Sequence, residues 1–254
     1  MCRIPQILLS FALLATSHVF ADDTPKQKSF DSRGVKIHYT VEGKGAPVVL
    51  IHGLHSTADI NWRLPGTVKT LAAHYHVIAF DVRGHGHSDK PDKDDAYGVE
   101  MAEDAVRLLD HLKIDKAHIV GYSMGGMIAM KVVTQHADRA RSVTLGGMGW
   151  LKEGSRLQAF WERIPERDGA KTPSVCVRSL GKLAVTEDEL KAVRVPVSIL
   201  IGDRDPVRRL YVAPLQQVRD DWPVVVIEGA GHMNCIFKDQ FKAELEKALD
   251  KQGR

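Results

Sequence analysis

The sequence predicts an α/β fold, a mostly parallel β-sheet with helices on both faces, and two observations carry this prediction. Short continuous apolar runs, such as VVLI at 48–51 and VIAF at 77–80, are typical of strands buried on both faces. Longer segments with apolar residues at helical spacing lie between them, with 98–112 the clearest. Strands that alternate with helices favour a parallel sheet. A chain of 254 residues, 44% of them hydrophobic, suffices for one such domain.

The same patterns predict seven strands and six helices. The first strand, at 35–39, alternates in polarity and is predicted to be antiparallel and half exposed. Residues 22–29 before it are interpreted as a polar linker. The other strands are predicted at 48–51, 77–80, 117–120, 142–145, 197–201 and 224–227, and the helices at 66–74, 98–112, 124–136, 155–166, 186–193 and 238–251.

One stretch, residues 147–194, interrupts the alternation of strands and helices. It is too long for a plain connection between two strands, and we predict a small helical cap inserted over the carboxyl ends of the strands. An irregular surface excursion is the alternative. Trp150, Phe160 and Trp161 are candidate substrate-binding residues within it, although packing of the cap onto the sheet would use the same side chains.

Residues 1–21 have the features of a secretory signal peptide. Arg3 precedes an apolar core at 7–15, and a cut after Ala21 would leave a domain at 22–254. The apolar core is shorter than the ~20 residues that span a bilayer, although an uncleaved anchor is the alternative. We therefore expect an exported protein, periplasmic or secreted, without a stable membrane anchor after cleavage.

Charge and cysteine content narrow the function classes. The formal net charge is +3, which does not indicate a nucleic-acid-binding surface. Cys176 and Cys235 are the cysteines of the mature chain. A disulfide between them in an oxidising compartment is one interpretation, and two separate buried thiols are the alternative.

Residues 121–126 read GYSMGG, a Gly-x-Ser-x-Gly motif. The apolar run AHIV at 117–120 precedes it and the helical run MIAMKVV at 127–133 follows it, which is the strand–turn–helix setting of a nucleophile elbow. So tight a turn favours glycine on either side of the serine, because a side chain there would collide with neighbouring backbone. Ser123 is therefore the candidate nucleophile. Taken alone, the motif also fits a glycine-rich turn with a solvated serine.

A serine nucleophile needs an imidazole to accept its proton and a carboxylate to orient that imidazole. His232 is the candidate base because it follows the last predicted strand on the glycine-rich stretch EGAGH. The strand before it ends in GDRDP, which offers Asp203 and Asp205. Asp205 is favoured because it lies farther from the strand end, before a proline, whereas Asp203 is suited to pairing with an arginine or capping the turn.

The oxyanion of an acyl-transfer reaction needs two N–H donors. The N–H of Met124, directly after the serine, is one candidate. The other is the N–H of Leu54, in the HGL stretch that follows the strand at 48–51. Gly53 in that stretch lets the backbone pass close to the nucleophile.

These residues together resemble the α/β-hydrolase superfamily. The chain order Ser123, Asp205, His232 agrees, as does DVRGHGHS at 81–88, which is similar to the family's Asp-x-Arg-Gly-x-Gly-x-Ser loop. The resemblance covers residues 33–250 and implies an eight-stranded sheet, no metal and no organic cofactor. The short cap and the elbow look like the esterase branch. Serine at the elbow separates the chain from the dehalogenase and epoxide-hydrolase branches, which use aspartate there.

A metal site is the competing interpretation of the histidines. HGHSD at 85–89 is similar to a His-x-His-x-Asp-His metal motif, but its last position is Lys90. His52 and His55 form another pair without a clear set of further ligands. We therefore expect no metal.

The expected function is a serine carboxylesterase that acts on small esters through an acyl-enzyme. Hydrolysis of a carbon–carbon bond, a lactone or an amide by the same three residues is one alternative. A ligand-binding or signalling protein on a hydrolase fold is another, since fold does not determine function.

Overall fold

The protein, described by a computed structural model over residues 27–166 and 171–253, contains one eight-stranded sheet. The predicted signal peptide lies outside these residues. The strands are β1 Lys28–Asp31, β2 Lys36–Glu42, β3 Ala46–Ile51, β4 Tyr75–Phe80, β5 Ala117–Tyr122, β6 Ala140–Gly146, β7 Val197–Gly202 and β8 Val224–Ile227.

The strand order is β1-β2-β4-β3-β5-β6-β7-β8. Strands β3 to β8 are parallel, whereas β2 is antiparallel to both β1 and β4. Because parallel strands point the same way, the segments that follow β3, β4, β5, β7 and β8 all leave the sheet at the carboxyl ends of its strands. This is where the candidate residues were expected.

Eight α-helices accompany the sheet in the described residues. Apolar side chains of α1 (Thr67–Ala72) and α8 (Asp239–Asp250) pack on one face, and those of α2 (Val99–His111) and α3 (Met124–Gln135) pack on the other. A π-helical turn at Asp59–Arg63 and a 3-10 turn at Ser179–Leu183 are used below. The helices are α1 Thr67–Ala72, α2 Val99–His111, α3 Met124–Gln135, α4 Arg156–Glu162, α5 Ser174–Arg178, α6 Glu187–Ala192, α7 Ala213–Gln216 and α8 Asp239–Asp250.

Strand β3 shows why the central strands are apolar throughout. Its side chains alternate between the two cores: Val49 and Ile51 face α2 and α3, whereas Val48 and Leu50 face α1 and α8. All four side chains are fully buried. A strand covered on both faces cannot carry polar residues without losing their hydration, so the fold-class prediction of a mostly parallel, doubly covered sheet is confirmed.

The interpretation of 22–29 as a linker was wrong at its end, because β1 begins at Lys28. This strand has four residues, of which only Phe30 is buried, so it carries no apolar run that a sequence pattern could detect. Backbone pairing with β2 holds it in place. The short helices α5 and α7 were also not predicted, since five and four residues are too few to show helical periodicity.

The segment between β6 and β7 is helical, as expected, and contains α4, α5 and α6. Its buried side chains, among them Leu180, Val185 and Leu190, belong to the same core as α2 and α3. The segment therefore has no separate core among the described residues and is packed onto the domain.

Cys176 and Cys235 are both free and buried. Burial raises the pKa of each thiol to about 12, so both are protonated at neutral pH. Of the two alternatives, the structure has the two separate thiols. Within the described residues, no helix is long and apolar enough to cross a membrane.

Candidate active site

The turn at Ser123 has the strained geometry of an elbow. Ser123 lies between β5 and α3 with φ 54° and ψ −117°, a conformation that a non-glycine residue rarely adopts. A Cβ atom at Gly121 would lie 2.0 Å from the carbonyl oxygen of Gly125, and one at Gly125 would lie 2.1 Å from that of Ile51. Both glycines are therefore required by direct backbone contact.

Ser123, His232 and Asp205 form a continuous chain of hydrogen bonds. The Oγ atom of Ser123 is 2.9 Å from Nε2 of His232, and Nδ1 of His232 is 2.8 Å from Oδ2 of Asp205. A carboxylate only accepts, so the imidazole carries its proton on Nδ1 and leaves Nε2 free to accept from the serine hydroxyl. The arrangement can move a proton from Ser123 to His232 and stabilise the resulting imidazolium. We call these three residues the triad.

The two aspartates after β7 have different surroundings. Asp205 is buried, and its second oxygen accepts the N–H of Val207 at 2.9 Å, which fixes the carboxylate plane. Asp203 is exposed and accepts the N–H of Ala230 at 2.9 Å. This hydrogen bond lowers the pKa of Asp203. Asp203 thus holds the loop that carries His232 but does not touch the imidazole.

Two more side chains fix the His232 loop. The hydroxyl of Tyr122 donates to the backbone carbonyl of His232, and the Tyr122 ring lies 5.7 Å from the imidazole, centroid to centroid. Asn234 accepts the N–H of Gly231 at 2.7 Å. The sequence did not indicate either role, because Tyr122 occupies a variable position of the Gly-x-Ser-x-Gly motif and Asn234 belongs to no motif.

The candidate oxyanion donors lie beside the serine. Leu54 and Met124 both line the cavity that reaches Ser123, and no hydrogen bond within the described residues uses either N–H. The N–H of Gly53 is occupied, since it donates to Oδ1 of Asn61 at 2.6 Å. Leu54, rather than Gly53, is therefore the available donor on this loop.

The His52 side chain fixes the loop at Gly53 and Leu54 through hydrogen bonds of its ring. Its Nε2 accepts the N–H of Val82 at 3.0 Å, so Nδ1 carries the proton and donates to the carbonyl of Gly53 at 2.7 Å. Full burial lowers the pKa of His52 and keeps it neutral. No pattern in the sequence indicated this role for His52.

Side chains of the DVRGHGHS loop, residues 81–88, hydrogen-bond to the segments around the site and hold them together. Asp81 accepts the N–H groups of Ala58 and His87 at 2.9 and 2.8 Å, and so joins the segment after β3 to the segment after β4. A Cβ atom at Gly86 would lie 2.1 Å from the Asp81 carboxylate. Arg83 forms a bidentate salt bridge with buried Asp104 on α2, in which Nε and Nη2 each lie 2.6 Å from a carboxylate oxygen.

The histidines of this loop are therefore packing residues. His85 lies against the His52 ring, centroids 5.2 Å apart, and burial lowers the pKa of His85 to about 3. His87 packs edge-on against His38. Over residues 27–166 and 171–253, no group of three or more His, Cys, Asp or Glu side chains is placed to hold a metal ion.

A cavity of about 430 Å³ opens at Ser123. Its floor includes Ser123 and Met124, and its walls come from the segment after β3, from α3, from the cap and from the residues after His232. The volume lies within the range of about 300–1,000 Å³ that small-molecule sites occupy.

Only one of the three cap aromatics reaches this cavity. Trp161 lines it, and its indole N–H donates to the Tyr211 hydroxyl at 3.1 Å. The expectation for the other two was wrong. Trp150 is buried in the core and donates to the carbonyl of Val185, whereas Phe160 points to solvent with 58% of its surface exposed. Successive residues on α4 face different directions, so adjacent aromatics cannot both face the cavity.

Comparisons with known proteins agree with this architecture. A family model for the α/β-hydrolase fold matches residues 46–185. The chain is 33% identical over 195 residues to 2-hydroxymuconate semialdehyde hydrolase of Pseudomonas sp. (strain CF600), a match that covers 72% of this chain and 65% of that protein. It is 36% identical over 133 residues to 2-hydroxy-6-oxo-6-(2'-aminophenyl)hexa-2,4-dienoic acid hydrolase of Metapseudomonas resinovorans, covering 49% and 43%.

The match to these curated relatives spans less than two thirds of their length. Among solved structures, a carboxylesterase of Nitrososphaera gargenis shares the fold with a TM-score of 0.72 at 20% identity, covering 89% of this chain and 98% of that one. The family model spans more than half of the sequence, including the elbow. The chain therefore belongs to the α/β-hydrolase family.

Proposed function

We propose that this protein is a serine carboxylesterase that acts on small esters. The observation that supports the proposal is the unbroken hydrogen-bond chain from Ser123 through His232 to Asp205, at the floor of a largely apolar cavity. Ser123 is half-buried but opens on the cavity, and a serine hydroxyl accessible to substrate beside an imidazole that can accept its proton is the arrangement that nucleophilic acyl transfer needs.

In the first half of the reaction Ser123 attacks the acyl carbon, and His232 accepts the hydroxyl proton. The negative charge that develops on the carbonyl oxygen is stabilised by the N–H groups of Leu54 and Met124. His232 then gives its proton to the departing alcohol. Asp205 stabilises the imidazolium while it is charged.

In the second half, His232 takes a proton from water, and the resulting hydroxide attacks the acyl-enzyme. Collapse of the tetrahedral intermediate releases the acid and returns the proton to Ser123. No metal or organic cofactor takes part in this scheme.

The test is the Ser123→Ala variant, assayed with p-nitrophenyl acetate and p-nitrophenyl butyrate. Loss of the nucleophile should lower kcat by up to ~10⁶-fold, since the remaining two residues have no hydroxyl to activate. An unchanged thermal melting curve would show that the variant is folded. Activity retained at the wild-type level in folded Ser123→Ala would refute the assignment.

Hydrolysis of a carbon–carbon bond is the second candidate. Two relatives named above are called hydrolases of a semialdehyde and of a dienoic acid, which favours this reaction class. The same triad would serve. A vinylogous 1,5-diketo acid assayed beside the p-nitrophenyl esters separates the two candidates, because the better substrate is the one with the higher kcat/KM.

A further inference from the structure

No permanently charged side chain lies among the described residues of the cavity. Among the described residues that line it there is no Lys, Arg, Asp or Glu. Its walls are mainly apolar, with contributions from Leu54, Ile60, Met127, Trp161, Leu180 and Phe237. The described part of the chain therefore provides no cation that could pair with a substrate carboxylate.

Two of the polar side chains that line the cavity, Asn61 and Tyr122, are engaged with the protein, whereas the Ser56 hydroxyl has no partner among the described residues and carries no charge. Oδ1 of Asn61 accepts the N–H of Gly53, and the hydroxyl of Tyr122 donates to the carbonyl of His232. Of the described lining side chains, only those of His55 and His232 can become cationic, and His232 must be neutral to accept the Ser123 proton. A carboxylate brought into this space would lose its hydration without an equivalent partner, which is strongly unfavourable.

The mouth of the cavity is apolar as well. Ile60, Met233 and Phe237 line the cavity, yet 49%, 84% and 44% of their surfaces are exposed. We call these three residues the rim. Large hydrophobic side chains exposed in a group are unusual on a protein surface unless something binds them. The rim side chains and Ser123 line the same cavity, so a ligand that contacts the rim can extend inward to Ser123.

The acyl group is the part of an ester that such a cavity must hold. It remains bonded to Ser123 through both halves of the reaction, whereas the alcohol leaves after the first. We propose that the site takes uncharged esters whose acyl chain extends along the apolar wall to the rim, and that it rejects esters whose acyl chain carries a carboxylate. This proposal rests on the esterase function proposed above.

The charge requirement is tested with two substrates of equal chain length, p-nitrophenyl hexanoate and the mono-p-nitrophenyl ester of adipic acid. They differ in a terminal methyl against a terminal carboxylate. We expect kcat/KM for the hexanoate to exceed that for the adipate monoester by at least 100-fold. Equal values would overturn the proposal.

The role of the rim is tested with a matched pair of variants. Ile60 and Leu64 lie four positions apart, have side chains of the same size and are both exposed, but only Ile60 lines the cavity. Because a buried methylene contributes up to about a fourfold gain in binding, we expect the hexanoate-to-acetate ratio of kcat/KM to exceed about tenfold in the wild type. Ile60→Ala should lower that ratio about fivefold, and Leu64→Ala should leave it unchanged.

The failures of the two proposals can be told apart. If no ester is hydrolysed in a Ser123-dependent way, the esterase function is wrong and this inference falls with it. Hydrolysis that depends on Ser123 can still contradict the inference in two ways. In the first, Ile60→Ala and Leu64→Ala have the same hexanoate-to-acetate ratio of kcat/KM. In the second, the adipate monoester is hydrolysed as well as the hexanoate. Either result overturns only the inference.

Discussion

The triad and the cavity wall differ in how the chain supplies them. Each member of the triad follows the end of a parallel strand, β5, β7 or β8, and is fixed by hydrogen bonds to backbone and side chains. The wall is assembled mainly from apolar side chains of four separate segments, including Ile60, Trp161 and Phe237. The difference indicates that the triad determines the chemistry and the wall determines the choice of substrate.

If that division is correct, damage to the triad should lower the rate for every substrate. Asp205→Asn keeps the shape of the side chain but removes the charge that stabilises the imidazolium, and it favours the wrong histidine tautomer. We expect kcat to fall by about 10⁴-fold for short and long acyl chains alike. The measurement is kcat for p-nitrophenyl acetate and hexanoate.

The matched control for that variant is Asp203→Asn, two positions away. Because Asp203 touches the His232 loop but not the imidazole, the loss in kcat should stay below about tenfold. A larger loss in Asp203→Asn than in Asp205→Asn would reverse the assignment of the two carboxylates.

Damage to the wall should instead be selective. Trp161→Ala removes a large apolar surface from the cavity, and we expect kcat/KM for the hexanoate to fall about tenfold more than for the acetate. Tyr211→Phe is the control, since it removes only the acceptor of the indole N–H and leaves the wall in place. A uniform loss with all chain lengths would contradict the division between wall and triad.

The smallest expected effect concerns stability and pH. The Ala230 N–H lowers the pKa of the Asp203 carboxyl, so its contribution to stability is present above the ordinary aspartate value of about 4. That contribution is lost as the pH falls through the lowered folded-state pKa. The drop in Tm between pH 7 and pH 3 should therefore be smaller in Asp203→Asn than in the wild type.

If the wild type and Asp203→Asn lose Tm equally over this range, the hydrogen bond to Ala230 does not stabilise the folded loop.

The elements that the sequence predicted well are those with strong local patterns. Strands β3 to β8 and helices α2, α3 and α8 were predicted to within a few residues of their observed positions. A strand buried on both faces must be apolar throughout, and a helix buried along one side must carry apolar residues at helical spacing, so both patterns are visible in the sequence. Strand β1 was missed because its stability comes from backbone pairing, which is independent of side-chain type.

The same reasoning explains the candidate site. The three residues Ser123, Asp205 and His232 could be predicted from the sequence because each follows a predicted strand and has a glycine or proline nearby. Trp150 and Phe160 were misplaced because the direction of a side chain in the cap depends on how its helices rotate against the sheet. That rotation is set by long-range packing, for example of Leu180 and Leu190 into the core of α2 and α3.

By itself the sequence determined a doubly covered parallel sheet, a glycine-flanked Ser123 and the order in which its partners follow, because these depend on composition and on residues adjacent in the chain. The sequence favoured Asp205 over Asp203 and named Leu54, but only the tertiary structure showed that Asp205 is the one bonded to His232 and that the N–H of Gly53 is taken by Asn61. Only the tertiary structure showed that Trp161 is the cap aromatic that meets the cavity. These depend on distances of a few ångströms between segments far apart in sequence, which hydrogen-bond geometry and packing fix only when the chain is folded.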